Sequence, residues 1–222
     1  KKYYQDNSPS YCENIYHLAG RHLKGKKLEK VLDVGCGDGQ GIKYLSSLLG
    51  VEVCGMEEAT VYKEKLARLK NKIFYISALD EAAINKITER FDVIVISRVL
   101  HHLVSDSPYK SREVAANAVK NLSKLLKNEA EVIILEPIFE PALLNKLVFY
   151  IKKLLAPLGR VKIFGYWNNL GAPVVNYFSK KEIFELFKND YSIKQNFIKT
   201  KSTFVVDLIF ERYDCMLILK KR

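Results

Sequence analysis

Cysteine is scarce and unpaired. Cys12, Cys36, Cys54 and Cys215 are far apart and form no C-x-x-C step. That excludes a disulfide framework and a zinc ribbon, and it points to a reduced, cytoplasmic setting. Glycine (11) and proline (6) are too few for a collagenous chain, and 48% hydrophobic residues are too many for a disordered one. No window reaches the roughly 18 uninterrupted apolar residues of a membrane-spanning helix. The nearest approach, residues 143–155, is broken by Lys146, Lys152 and Lys153. Residues 1–10 are polar and aromatic and do not read as a signal peptide. Internal repeats, low-complexity tracts and clusters with metal-ligand spacing are all missing. Acids are outnumbered, 25 against 36 bases, for a net charge of +11. The excess is scattered, so a lysine-rich solvated surface accounts for it; nucleic acid or an anionic membrane is the sharper alternative.

What is present is alternation. Short β-branched runs take turns with longer segments of helical period, the pattern of an α/β fold with a mostly parallel sheet. Strands are expected at 30–34, 51–56, 72–77, 91–97 and 131–135, with helices at 40–49, 60–69, 81–88 and 111–126. In the last helix Val114, Ala118, Leu122 and Leu125 share a stripe. Pro137 and Pro141 then break the rhythm. An apolar, basic helix is expected at 142–155, followed by a glycine-containing loop with the only tryptophan, Trp167. Ser179-x-x-Glu182 is a capping box opening a helix through Phe187. Strands within 191–199, 203–210 and 215–220 close the chain. One domain of 222 residues is expected: a helical cap to 28, a cofactor-binding half at 29–137, a lid insertion at 138–177, and a final helix with strands at 178–222.

The informative stretch is Val31-Leu32-Asp33-Val34-Gly35-Cys36-Gly37-Asp38-Gly39-Gln40. An apolar strand runs into a glycine-rich turn that opens a helix. Its free amides and bare backbone suit a nucleotide-like ligand at the C-terminal edge of a parallel sheet. The G-x-G-x-x-G spacing fails, since Gln40 or Ile42 occupies the final position. A phosphate loop ending in Gly-Lys-Ser/Thr is absent too. Asp33 and Asp38 instead place carboxylates near the ligand, which disfavours phosphate and favours an ammonium or a sulfonium.

Asp33-x-Gly35-x-Gly37-x-Gly39 resembles the first motif of class I S-adenosylmethionine-dependent methyltransferases. Glu57, closing Val53-Cys54-Gly55-Met56-Glu57, matches the acid that holds both ribose hydroxyls in that family. Phe91 to Ser97 with Val99-Leu100-His101-His102-Leu103 resembles the fourth strand and turn of the small-molecule branch, which includes quinone-biosynthesis enzymes. Ile134-Leu135-Glu136-Pro137 is similar to the end of the fifth strand, and Tyr177 to Ile183 to a late helix. The resemblance implies a Rossmann-like, doubly wound sheet of about seven strands, mostly parallel with an antiparallel C-terminal strand, plus a helical lid. It implies S-adenosyl-L-methionine as cofactor, S-adenosyl-L-homocysteine as product and a small-molecule acceptor methylated at oxygen, nitrogen or carbon. Cofactor contacts fall on Asp33, Gly35, Cys36, Gly37, Gly39, Glu57, Glu58, Asp80 and Ser97. Asp33 either contacts the methionyl end or holds the turn in shape.

On the acceptor side, His101 and His102 are the candidate bases, His102 ahead, since imidazole titrates near neutrality. Arg98 suits an acidic acceptor. Glu136 either orients substrate or makes a structural bond. Tyr166 and Trp167, with Asn168 and Asn169, suit a planar acceptor. Tyr3, Tyr4, Tyr11 and Tyr16 either close the site or anchor the cap. The 142–155 helix is a lid or a peripheral membrane contact, and the chain a monomer or homodimer. Two other functions stay open. One is nucleic-acid methylation, disfavoured because Ser97-Arg98-Val99-Leu100 stands where an Asn/Asp-Pro-Pro-aromatic turn belongs. The other is cofactor binding without catalysis.

Overall fold

A computed structural model describes residues 9–159, 162–163, 167–168, 171–200 and 210–222. Strand β1 (Lys30–Val34) lies in the middle of a seven-stranded sheet. On one side it pairs in parallel with β2 (Glu52–Met56), which pairs with β3 (Ile73–Phe74). On the other it pairs in parallel with β4 (Phe91–Ser97), which pairs with β5 (Leu126–Glu140). β9 (Glu211–Lys221) adds antiparallel to β5, and β8 (Tyr191–Thr200) antiparallel to β9. The order is therefore β3-β2-β1-β4-β5-β9-β8. The strand order reverses between β1 and β4, the place where doubly wound sheets open a crevice.

Helices cover both faces. α1 (Pro9–Leu23), α2 (Gln40–Leu49) and α3 (Lys63–Leu66) pack on one, through Ile15, Ala19, Leu23, Ile42, Leu45 and Leu66. α4 (Glu81–Ile84), α5 (Pro108–Leu122) and α7 (Lys180–Phe187) pack on the other, through Ile84, Ala115, Ala118, Leu122, Ile183 and Phe187. β4 is apolar on both faces: Val93 and Val95 meet one layer, Ile94 and Ile96 the other. Such a strand belongs in the interior of a covered parallel sheet. α6 (Ala142–Leu155) follows β5, and a two-stranded ribbon, β6 (Lys162–Ile163) with β7 (Trp167–Asn168), comes next. Among the described residues no helix is long and apolar enough to cross a membrane.

Several expected boundaries move. β5 runs from Leu126 to Glu140, through Pro137, so the expected division at 137/138 falls inside a strand. β9 matches β5 from Glu131 to Glu140, whereas β4 stops at Leu135. Beyond that point, among the described residues, β9 is the one strand paired with β5, and the other edge carries a single bridge from Ile138 to Phe178, so proline is tolerated at 137. β3 and the helices after β2 and β3 are shorter than expected. Only Leu66 and Ile84 are buried within α3 and α4, and a short helix with little burial does not propagate. The buried stripe of α5 is Ser111, Ala115, Ala118 and Leu122, so Val114 is off it by one position. The capping box is formed: Ser179 Oγ accepts from the Glu182 amide, and the Glu182 carboxylate accepts from the Ser179 amide. Of the strand expected at 203–210, residues 203–209 lie outside the described residues.

Candidate functional site

The C-terminal ends of β1, β2 and β4 open into a cleft of about 1020 Å³. Its floor is the turn after β1. Gly35 and Cys36 donate their amides to the Met56 carbonyl, at 2.8 and 3.2 Å, which folds the turn over the end of β2. Gly35, Gly37 and Gly39 all adopt positive φ, at 70°, 55° and 84°. They are not equivalent. A Cβ on Gly35 would come within 2.2 Å of Val99, and one on Gly39 within 2.4 Å of Leu69. A Cβ on Gly37 would meet nothing nearer than the Tyr62 ring at 4.0 Å. Thus Gly35 and Gly39 serve packing, while Gly37 leaves open space above the turn. Gly35, Cys36, Gly37 and Ser97 line the cleft; Gly39 sits just behind it at the start of α2.

Glu57 follows β2 and reaches back across the turn. Its Oε2 accepts the Gly37 amide at 2.8 Å and its Oε1 the Ala59 amide at 2.7 Å. Burial raises its pKa against the pull of those amides. Each oxygen keeps a further lone pair beside the cleft. Glu58, next to it, is exposed and also lines the cleft. Burial likewise drives the Cys36 thiol up, so it stays protonated.

Asp33 lies beneath the turn and is fully buried on the α1 and α2 face of β1. Tyr16 from α1 donates its hydroxyl to Asp33 Oδ1 at 2.8 Å. Oδ2 has no hydrogen-bond partner among the described residues. Burial pushes the Asp33 carboxyl up to about 7. Gly41, in the first turn of α2, was not anticipated from sequence. A Cβ there would stand 2.3 Å from the Tyr16 ring and 2.6 Å from Asp33 Oδ2. Its bare backbone leaves that oxygen facing the cleft-lining glycine. The only signal in the sequence is a fourth glycine in the alternating run 35, 37, 39, 41.

The opposite wall is made by the turn after β4 and the far end of β5. Arg98 holds a positive φ of 57°, a strained conformation for a side chain of its size. It lines the cleft with His101 and His102. Glu136, fully buried in β5, accepts the Leu100 amide at 2.7 Å through Oε1. Its Oε2 lies 2.6 Å from His101 Nδ1. Tyr177 stacks on the His101 ring at 5.5 Å, and the His102 ring lies 4.1 Å from that of His101. Burial, then the electrostatic influence of the neighbouring His101 and Lys152, press the His102 pKa down to about 3. Phe139, Tyr177 and Arg212 complete this wall. Arg212 sits 114 positions after Arg98 in sequence, with no local pattern to mark it.

Not every expected residue reaches the cleft: Asp33 is fully buried beneath the turn, behind the residues that line it. Asp80 accepts the Ala83 amide at 2.9 Å and caps α4; Ile76, Ser77 and Ala78 form the wall there. Glu136 acts behind the wall, through His101 and the Leu100 amide. Trp167 belongs to β7, whose backbone pairs Ile163 with it. Tyr166, Asn169, Tyr3 and Tyr4 lie outside the described residues.

Residues 32–132 match the family model described as a methyltransferase domain. The match spans β1 to the first half of β5 and so includes the turn, Glu57 and both histidines. A search of curated proteins finds no match to the chain. Solved structures share the fold of the domain at low identity. One is the N-methyltransferase NodS from Bradyrhizobium japonicum WM9, in complex with S-adenosyl-L-homocysteine: TM-score 0.58, 14% identity, 97% of this chain and 89% of that one covered. Another is the 1,6-didemethyltoxoflavin-N1-methyltransferase from Burkholderia thailandensis, with bound 1,6-didemethyltoxoflavin and S-adenosylhomocysteine: TM-score 0.60, 16% identity, coverage 95% and 78%. The plantazolicin methyltransferase BpumL gives TM-score 0.56 at 16% identity, with 94% and 82% covered.

Proposed function

We propose that this chain is a methyltransferase that transfers a methyl group from S-adenosyl-L-methionine to an oxygen or nitrogen of a small molecule. The observation that carries the proposal is the pairing of two features at one cleft. At the floor, Glu57 holds an open glycine turn from the cleft side, and the unpartnered Oδ2 of Asp33 lies buried beneath that turn. At the opposite wall, Glu136 holds a histidine. The donor set fits the cofactor. Glu57 would take the ribose hydroxyls, Gly35 and Gly37 the backbone-facing side, and Asp33 the amino-acid end, whose ammonium would satisfy the orphaned oxygen. When bound, the cofactor supplies an already activated methyl group on a sulfonium.

The chain's own work is then mostly positioning. Glu136 fixes the proton of His101 on Nδ1 and leaves Nε2 as a lone pair toward the acceptor. His101 takes the proton that a hydroxyl or amine loses as it is methylated. His102 is too weakly basic for this work and shapes the wall instead, which reverses the order expected from sequence. Arg98 and Arg212 give the wall a cationic rim suited to an acceptor with an acidic group.

Calorimetric titration with S-adenosylhomocysteine tests the floor. Incubating the protein and methyl-labelled cofactor with a small-molecule extract, tRNA and DNA in parallel tests the acceptor. Label in a small-molecule product, lost in His101→Ala, is the expected result. Label in nucleic acid would overturn the acceptor class, and no saturable binding of the cofactor product would overturn the whole assignment.

A further inference from the structure

α6 buries Phe149 together with two polar residues, Asn145 and Lys152, and turns three leucines outward. Leu143, Leu147, Tyr150 and Leu154 are 52–78% exposed, whereas Asn145 and Lys152 are 4% and 5% exposed. The positions 143, 147, 150 and 154 follow the i, i+4, i+7, i+11 rhythm of a single helix face. Leu158, just beyond the helix, is exposed as well. The buried side is anchored by Phe149 and by its polar groups. Asn145 Nδ2 donates to the Phe139 carbonyl at 2.7 Å, and the charge of Lys152 acts on His102. The orientation is therefore set by the domain, and it leaves an apolar stripe about 20 Å long facing outward. Stripes of this kind mark a docking surface.

Charge selects the occupant. Exposed Lys146 and Lys153 flank the stripe along one edge. From Pro141 to Lys181 the sequence contains no Asp or Glu, but it contains Lys146, Lys152, Lys153, Arg160, Lys162, Lys180 and Lys181. A second copy of the chain would set this basic face against itself. An anionic bilayer would accept both the leucines and the lysines. We propose that the outward face of α6 docks the protein, lying in the plane of the interface, on an anionic membrane surface. Tyr150 sits among the leucines where an amphipathic ring suits the headgroup level. The docking is independent of what the cleft binds, although α6 stands beside the acceptor wall through Lys152 and His102.

The test is co-sedimentation of the full chain with vesicles of phosphatidylcholine, alone or mixed with phosphatidylglycerol. The wild-type protein binds the mixed vesicles, releases as salt is raised, and does not bind the neutral ones. Leu143→Glu with Leu154→Glu weakens vesicle binding about tenfold or more, while far-UV circular dichroism and S-adenosylhomocysteine binding stay unchanged. Lys146→Glu alone weakens binding to the mixed vesicles without changing behaviour on neutral ones. Equal sedimentation of the wild type and the double variant would overturn the proposal, and so would equal binding to both vesicle types. A lipid-free dimer in sedimentation velocity, dissolved by the double variant, would assign the face to a second copy instead.

Discussion

Tyr16 and Asp33 are joined by a 2.8 Å hydrogen bond that ties the first helix to the strand beneath the glycine turn. It satisfies one oxygen of a carboxylate that is otherwise fully buried. Tyr16 also lines the cleft, so the same side chain anchors α1 and closes the floor. Tyr16→Phe leaves Asp33 without that donor. A loss of about 1–3 kcal/mol at pH 8 is expected, measured by urea unfolding, together with weaker S-adenosylhomocysteine binding by calorimetry.

Asp33 carries a pH signature. Its native pKa of about 7 lies above the ordinary 3.8. Between these values the native state holds the proton that the unfolded state releases, so stability falls as pH rises from about 4 to 7. Asp33→Asn removes that penalty. Its melting temperature should match the wild type near pH 4 and exceed it by several degrees at pH 8. Cofactor affinity of the wild type should move the other way, rising up to about tenfold from pH 6 to pH 8 as the carboxylate ionises to meet the ammonium. A flat affinity profile would remove Asp33 from ammonium binding.

The first two glycines of the turn should separate in their effects. Gly35→Ala forces a Cβ to within 2.2 Å of Val99 and displaces the turn that carries both histidines. A loss of about 2–3 kcal/mol is expected from the clash and the positive φ combined. Gly37→Val has open space around it and should cost about 1 kcal/mol of backbone strain. Its larger effect should be on cofactor binding, because the new side chain enters the cleft.

Glu57→Gln keeps the shape but has one acceptor oxygen for two amides, those of Gly37 and Ala59. Cofactor affinity should fall by about tenfold or more. The fold should persist, because the strands on either side of Glu57 are held by other pairs.

At the acceptor wall, His101→Ala should lower kcat about a hundredfold with little change in cofactor affinity. Glu136→Gln should lower kcat less, because the amide oxygen can still accept from Leu100 while the carboxylate that orients the His101 ring is lost. His102 is neutral throughout the physiological range, with a pKa of about 3. His102→Gln should therefore leave kcat nearly unchanged and act on KM.

Much of the architecture was legible because it depends on near neighbours in the chain. The run Phe91 to Ser97 is apolar at every position but two, so only a strand covered on both faces satisfies it. The helix Ala142–Leu155 and the Ser179–Glu182 box follow from periodicity and from a cap four residues long. β5 was underestimated because its length is decided by β9, a partner 80 residues away. Asp80 was misplaced for a similar reason: only the position of α4 shows that its carboxylate caps a helix rather than facing the cleft.

The order of residues by itself determined the parallel sheet, the glycine turn and the acids at 33 and 57, since each is set by local spacing and backbone freedom. Tertiary structure alone decided which histidine gains a carboxylate, because Glu136 and His101 meet only when β4 and β5 pair. It also decided that α6 faces its leucines outward. An amphipathic period says that a helix has two sides, and only the surface it packs against chooses between them.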